Sequence, residues 1–341
     1  AQIQQLNKQI YYAELDGTVA NDLRDSRTLL IDSLSKLVDI DVNEMVVGKL
    51  PNGYDEKHLF ITINGKALVS HFNVSELSVA KRDESMRLNE EDIPDLYEVV
   101  WKDGNKFSAE GGVIKALLDV RDGNDGILGV DGKTSSPAFK GIPYYIRQLN
   151  EFVRTFAMAF NEGYIDANGN GIIEAGEDIK GHADGYGLDL SGSGNYPTGI
   201  RFFTMIGNNG KPMSSEDFIN GETTSVGIME RYKSITAKNF SVSFDVLDDH
   251  SNIAASDTQG QTGNMSIVSE LINMRHDRRM FAEGAPEDFM KSLVATLGID
   301  SQQYIRYAEN QENLIEQIEN RRTADSGVSL DEEMANMVRY Q

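Results

Sequence analysis

Gly327-Val-Ser-Leu-Asp-Glu-Glu-Met-Ala-Asn-Met-Val-Arg-Tyr-Gln341 reads as the opening of a helix, and that reading sets the fold. Ser329 followed three residues on by Glu332 is a capping box, in which each side chain satisfies a backbone N–H that the first helical turn leaves unpaired. Asp331, Glu332 and Glu333 suit the positive end of the helix dipole, and Leu330, Met334, Met337 and Val338 begin an apolar stripe. No Gly or Pro ends the pattern, so it is expected to run on. The opposite end is alike: Ile3, Leu6, Ile10 and Ala13 alternate by three and four residues. Both ends are expected to belong to long helices that lie close together as one stalk.

Further inward, Leu23, Leu30, Leu34 and Leu37 continue the helical spacing after an interruption at Gly17. From Val42 the texture changes to short apolar runs: Val46-Val47, Leu59–Ile63 before Asn64-Gly65, Ala67–Val69, and Tyr97–Trp101 before Asp103-Gly104. These are hairpin signals, because Asn-Gly and Asp-Gly supply the positive φ angles a tight turn needs. Helical spacing returns over Gly111–Val120 and at Ile146, Leu149, Val153, Phe156 and Phe160. Ile200–Met205, Ser225–Met229 and Phe240–Val246 alternate in the manner of half-buried strands. Ile267, Leu271 and Met274 mark a further helix, and Pro286–Leu297 a short one stopped by Gly298. Tyr304, Ala308, Ile315 and Ile318 mark another, and stripes of this kind are expected mostly to be core. The pattern predicts an α+β multidomain protein: a discontinuous α-helical bundle or rod domain from 1–42, 108–162 and 258–341, with an inserted mainly-β outer domain from 43–107 and 163–257.

The 341 residues carry 32 Lys and Arg against 54 Asp and Glu, a net charge of -22 that repels both nucleic acid and anionic lipid. No apolar run approaches the roughly 18–20 residues of a membrane helix. The expectation is no nucleic-acid and no membrane partner. The chain has no cysteine, which excludes disulfides, thiolate nucleophiles and Cys-ligated zinc.

The C-terminal stretch quoted above resembles that of the flagellar axial proteins, and among them the hook-associated family. Ala20-Asn-Asp-Leu-Arg-Asp-Ser-Arg27 with Leu34-Ser-Lys-Leu37 is similar to a second segment of that family. A third is Gly111-Gly-Val-Ile-Lys-Ala-Leu-Leu-Asp-Val-Arg-Asp122 followed by Ile142–Asn150 and Asn161, and a fourth is Ile253-Ala-Ala-Ser256 with Gly263-Asn264. The four blocks fall in the family's order. The resemblance implies a non-enzymatic structural protein that is exported as an unfolded chain to the extracellular flagellum and joins hook to filament by subunit packing. It also implies self-packing in a ring, hook protein and the second junction protein as partners, and an export chaperone. A fragment without the terminal assembly helices is expected to be monomeric.

The sharpest local motif is Asp166-Ala-Asn-Gly-Asn-Gly-Ile-Ile-Glu-Ala-Gly-Glu177, which satisfies the Ca2+-loop pattern D-x-[DN]-x-[DN]-G-x5-E throughout. Asp166, Asn168, Asn170, the Ile172 carbonyl, Glu174 and bidentate Glu177 would supply hard oxygen ligands for a structural Ca2+, and Gly171 the sharp turn. The alternative is a surface loop whose Asp, Asn and Gly were selected for turns. No exiting helix follows, and the loop reads as an insertion between Asn161 and His182-Ala-Asp-Gly-Tyr-Gly-Leu-Asp-Leu-Ser-Gly192.

Other constellations are poor. His58, His71, His182, His250 and His276 show no zinc spacing and read as surface or polar-core residues. Gly187–Gly194 lacks the Lys and Ser/Thr of a phosphate loop. The acidic runs Asn89–Asp92 and Asp331–Glu333 read as solvated faces rather than acid-base pairs. A secreted Ca2+-dependent adhesion or carbohydrate-binding module, or another flagellar axial protein, is the alternative.

Overall fold

Gly17, at φ +92°, breaks the first helical run into α1 (Gln2–Glu14) and α2 (Asn21–Leu37). Arg24 braces the bend by donating from Nε and Nη2 to Glu14 Oε1 and Oε2 at 2.7 and 2.8 Å. Next come β1 (Asp41–Lys49), β2 (Asp55–Ile63), β3 (Lys66–Ser70) and β4 (Asn73–Val74), an antiparallel sheet in the order β1-β2-β3-β4. Asn64 and Gly65, at φ +45° and +76°, turn β2 into β3 as their sequence requires. Alternate residues of β2, Leu59, Ile61 and Ile63, are buried. Leu59 and Ile61 pack with Ile3 of α1 and Leu30 and Leu34 of α2.

A second antiparallel pair, β5 (Leu77–Lys81) and β6 (Tyr97–Trp101), precedes α3 (Gly112–Asp122). Trp101, Phe107 and Ala109 join Val38 and Ile63 in one cluster, against which Ile114 and Leu118 of α3 lie. Gly112 makes this junction possible. Its φ is +84°, and a Cβ there would sit 2.6 Å from Val38 Cα and 2.7 Å from the Leu37 carbonyl oxygen.

The structure, a computed structural model, describes residues 1–15, 17–51, 53, 55–166, 179–326, 334–335 and 337–339. The capping box Ser329–Glu332 lies outside them, as does the expected meeting of the two chain ends. The chain divides into two compact units, Ala1–Gln148 and Leu149–Gln341, with the boundary inside α4 (Ile142–Glu162). Each unit is contiguous in sequence, whereas interleaved segments were expected: 43–107 shares its core with α1, α2 and α3.

In the second unit α4 is buried on two sides. Val153, Ala157 and Met158 pack with α5 (Ser215–Ile219), α6 (Ser225–Tyr232), β7 (Phe203–Met205) and β8 (Phe240–Val242) through Phe218, Ile219, Ile228, Tyr232, Phe203 and Phe240. Phe152, Phe156 and Ala159 pack with Met274 of α8 (Ser266–Met274), Phe289 in the first turns of α9 (Pro286–Ser326), and Phe281 of the segment between them. Each fully buried aliphatic or aromatic side chain here is worth about 1.5–3 kcal/mol.

Three expectations are corrected. Residues 163–257 are richer in helix than in strand among the described residues, because Ser214, Thr224 and Ser243 each cap a helix by accepting from the N–H three residues on. Ser225–Met229 is thus the first part of α6, and Phe240–Val246 stops being strand at Val242 and passes into α7 (Phe244–Asp248). Gly298 stops nothing: α9 runs 41 residues through it, since neither a positive φ nor a neighbour within 4 Å interrupts the helix there. The stripe at Tyr304, Ile315 and Ile318 is not core, with exposures of 47%, 51% and 63%.

Replacing Gly112 by Ala tests the close approach of α3 to the end of α2. The expected result is a loss of about 1–3 kcal/mol in urea unfolding followed by the fluorescence of Trp101, the single tryptophan of the chain. An unchanged midpoint would show that the backbone there relaxes freely.

Candidate functional site

The sequence places its sharpest chemistry between Asp166 and Glu177, so the stems of that stretch come first. Ile165 is fully buried, and Ile179 packs beside it in the α4–α8 cluster. Ile179 N donates to the Gly163 carbonyl at 3.0 Å. Gly163 has φ +72°, and a Cβ on it would lie 1.8 Å from the Ile179 carbonyl oxygen; a Cβ on Gly181 would lie 2.4 Å from the Asn161 carbonyl oxygen and the Gly163 nitrogen. Two glycines therefore close the chain on itself at the foot of that stretch, a role that residue type and spacing assign to neither. Asp166 is half-buried at the head of one stem. Asn168, Asn170, Ile172, Glu174 and Glu177 lie outside the described residues. Among the described residues no three His, Cys, Asp or Glu converge as a metal site.

Beside these stems the end of α4 carries a buried polar network. Arg201 donates from Nε and Nη2 to Glu162 Oε1 and Oε2 at 2.8 and 3.0 Å, a bidentate pair. Tyr232 Oη donates to Glu162 Oε1 at 2.8 Å and accepts from Asn161 Nδ2 at 2.8 Å. Burial, reinforced by the Glu162 charge, pushes the Tyr232 phenol well above its ordinary range and keeps it neutral. Asn161 also accepts from Phe203 N at 3.0 Å. These groups satisfy one another, so their chemistry braces α4, β7 and α6.

His182 does the same for the adjoining loop. Its Nδ1–H donates to the Ile200 carbonyl at 2.7 Å and its Nε2 accepts from Ala254 N at 3.0 Å, which fixes the neutral tautomer. Burial lowers its pKa. A Cβ on Gly185 would lie 2.8 Å from Ala254 Cβ and from Ile267 Cγ1. The His182–Gly192 and Ile253–Ser256 segments, 60 or more residues apart in sequence, are thus one packed structure.

The first unit has its own network, centred on Arg82. Its side chain is 6% exposed and donates to Glu98 at 2.7 Å, Asp92 at 3.0 Å and Asp122 at 3.1 and 3.2 Å. Asn89 Nδ2 donates to Asp92 Oδ1 at 3.2 Å and to the Asp122 carbonyl at 3.0 Å; Asn124 and Arg147 extend the chain of bonds. This corrects the reading of Asn89–Asp92 as a solvated acidic face: Asn89 and Asp92 are buried. Nothing in the local spacing announces Arg82, because its partners lie 10, 16 and 40 residues away.

Comparison with known proteins gives two findings. The family model for the helical domain of the flagellar hook-associated protein FlgK matches residues 1–178, just over half of the chain. Flagellar hook-associated protein 1 of Bacillus subtilis (strain 168) is 26% identical over 350 residues, covering 100% of this chain and 58% of that relative. The chain therefore spans less than two thirds of the relative's length.

Truncating Arg82 to Ala leaves Asp92 and Glu98 in place without their cation and Asp122 with Arg121 alone. The expected cost is about 3–5 kcal/mol of first-unit stability in urea unfolding read at Trp101. A change below about 1 kcal/mol would mean that solvent and Arg121, not Arg82, compensate those carboxylates.

Proposed function

From the premise that this chain belongs to the FlgK family of flagellar hook-associated proteins, we propose that it is a structural segment of the junction between hook and filament, acting by subunit packing and without catalysis. The observation that carries this reading is α9. Along its 41 residues Val294, Leu297, Tyr304, Ile305, Leu314, Ile315 and Ile318 are exposed, an apolar surface far larger than a self-contained helix needs. Buried polar clusters that satisfy themselves, such as Glu162–Arg201–Tyr232, support a bracing role over a reactive one. The partners this reading calls for are other axial proteins of the flagellum, namely hook protein and the second junction protein, together with further copies of the chain; an export chaperone would accompany it before assembly. Family membership favours this over a secreted Ca2+-dependent adhesion or carbohydrate-binding module. Immunogold labelling of the intact protein is expected at the hook–filament boundary; label confined to the filament shaft or the cell body would refute the proposal.

The Ca2+ loop is proposed on its donor chemistry. Asp166, Asn168, Asn170, the Ile172 carbonyl, Glu174 and Glu177 are the oxygen set such an ion takes, and the stems closed by Gly163 and Gly181 suit a loop that must return to its starting point. When bound, the ion would neutralise acidic side chains and hold the loop in one conformation. A ligand that binds only the folded state adds about 2.7 kcal/mol at a hundredfold excess over Kd. Calorimetric titration should therefore show heat on adding Ca2+ and a Tm that falls on adding chelator, both lost in Glu177→Gln. No heat and no shift in Tm would remove the site.

A further inference from the structure

His71 is the most anomalous residue of the first unit. It sits in the turn between β3 and β4 at φ +50°, a conformation costly for a side chain with a Cβ. It is 6% exposed, and neither ring nitrogen has a hydrogen-bond partner among the described residues. Its ring stacks on that of His58, with centroids 3.7 Å apart and planes 10° from parallel.

The same turn fastens α1 to the sheet. Asn7 Nδ2 donates to the His71 carbonyl at 2.9 Å, Gln4 Nε2 donates to the Phe72 carbonyl at 2.8 Å, and the Tyr11 ring meets Phe72 edge-on at 5.4 Å. The charged and titratable groups around the ring come from four elements: Tyr11 and Glu14 of α1, Arg24 and Arg27 of α2, Glu44 of β1, and Asp55, Glu56, Lys57 and His58 of β2. Every carboxylate in this set is already engaged, Glu14 by Arg24, Glu44 by Arg27, Asp55 by Lys49 and Glu56 by His58. A proton on His71 would face Arg27 and the second imidazole, and the two carboxylates that favour it, Glu56 and Glu44, are already shared with other cations or rings. Nearly parallel rings also aim their nitrogen lone pairs into separate planes, so the pair is not built to share a metal ion.

We propose that His71 is a proton-sensitive latch: neutral, it holds α1 on the sheet, and it can charge only when the turn and α1 separate. Burial, followed by the His58 ring and Arg27, outweighs the opposing Glu56 and Glu44 charges and lowers its pKa from 6.5 to about 4. The open state therefore binds more protons than the closed one between those values. The stabilisation is complete above pH 6.5 and is lost as pH falls towards 4, by about a factor of ten per pH unit in the opening equilibrium.

Hydrogen exchange of the full chain, resolved for residues 2–14 and 66–74 and corrected for intrinsic rates, tests this. The opening equilibrium of both segments should rise about tenfold per unit from pH 6.5 to 4.5. It should lose that dependence in His71→Asn, since Asn tolerates positive φ and does not titrate. A flat wild-type profile, or an undiminished slope in the variant, would overturn the latch. Should His71→Asn fail to fold, the ring resonance of His71 in the unsubstituted chain, assigned through its contacts with Phe72, decides the matter. Titration near 6.5 refutes the proposal, and a midpoint well below 5.5 supports it.

Discussion

Compensation of buried carboxylates by a few arginines is the constraint on which both units rest. The chain has far fewer cations than anions, so most acidic groups must face water, and the ones that do not must converge on a shared guanidinium. Arg82 does this for Asp92, Glu98 and Asp122, and Arg201 does it for Glu162. In each case one side chain ties together segments that are distant in sequence. The arginines thereby fix the register in which β5, β6 and α3, or α4 and β7, come together, a task that apolar contacts, being non-directional, do poorly.

Much of the fold was legible because periodicity reports burial directly. α1, α2, α4 and α8 follow from apolar spacing, and the β2–β3 hairpin from Asn64-Gly65 between alternating residues. The errors have physical causes. α5, α6 and α7 are five to eight residues long, too short for a stripe, and their existence depends on the caps Ser214, Thr224 and Ser243. Gly298 does not end α9, because a glycine ends a helix only where a left-handed residue is needed after it.

At the candidate site the sequence spelled out proposed ligands but not foundations. Asp166 through Glu177 is recognisable by residue type alone, whereas Gly163 and Gly181 matter through a backbone approach that no spacing rule encodes. Arg82 and His71 stand out only in the fold: one gathers partners from three remote segments, and the other is set apart by a buried ring without a hydrogen-bond partner among the described residues. Long-range pairing is the part of folding that a linear reading recovers least.

The pinch made by Gly163 and Gly181 also separates two kinds of selection. The stems answer to the packing of the body and tolerate no added carbon, while the stretch between them answers to its own chemistry. A change of length or content between the two glycines leaves their close approach untouched, so the body sets where that stretch begins and ends but not what it contains.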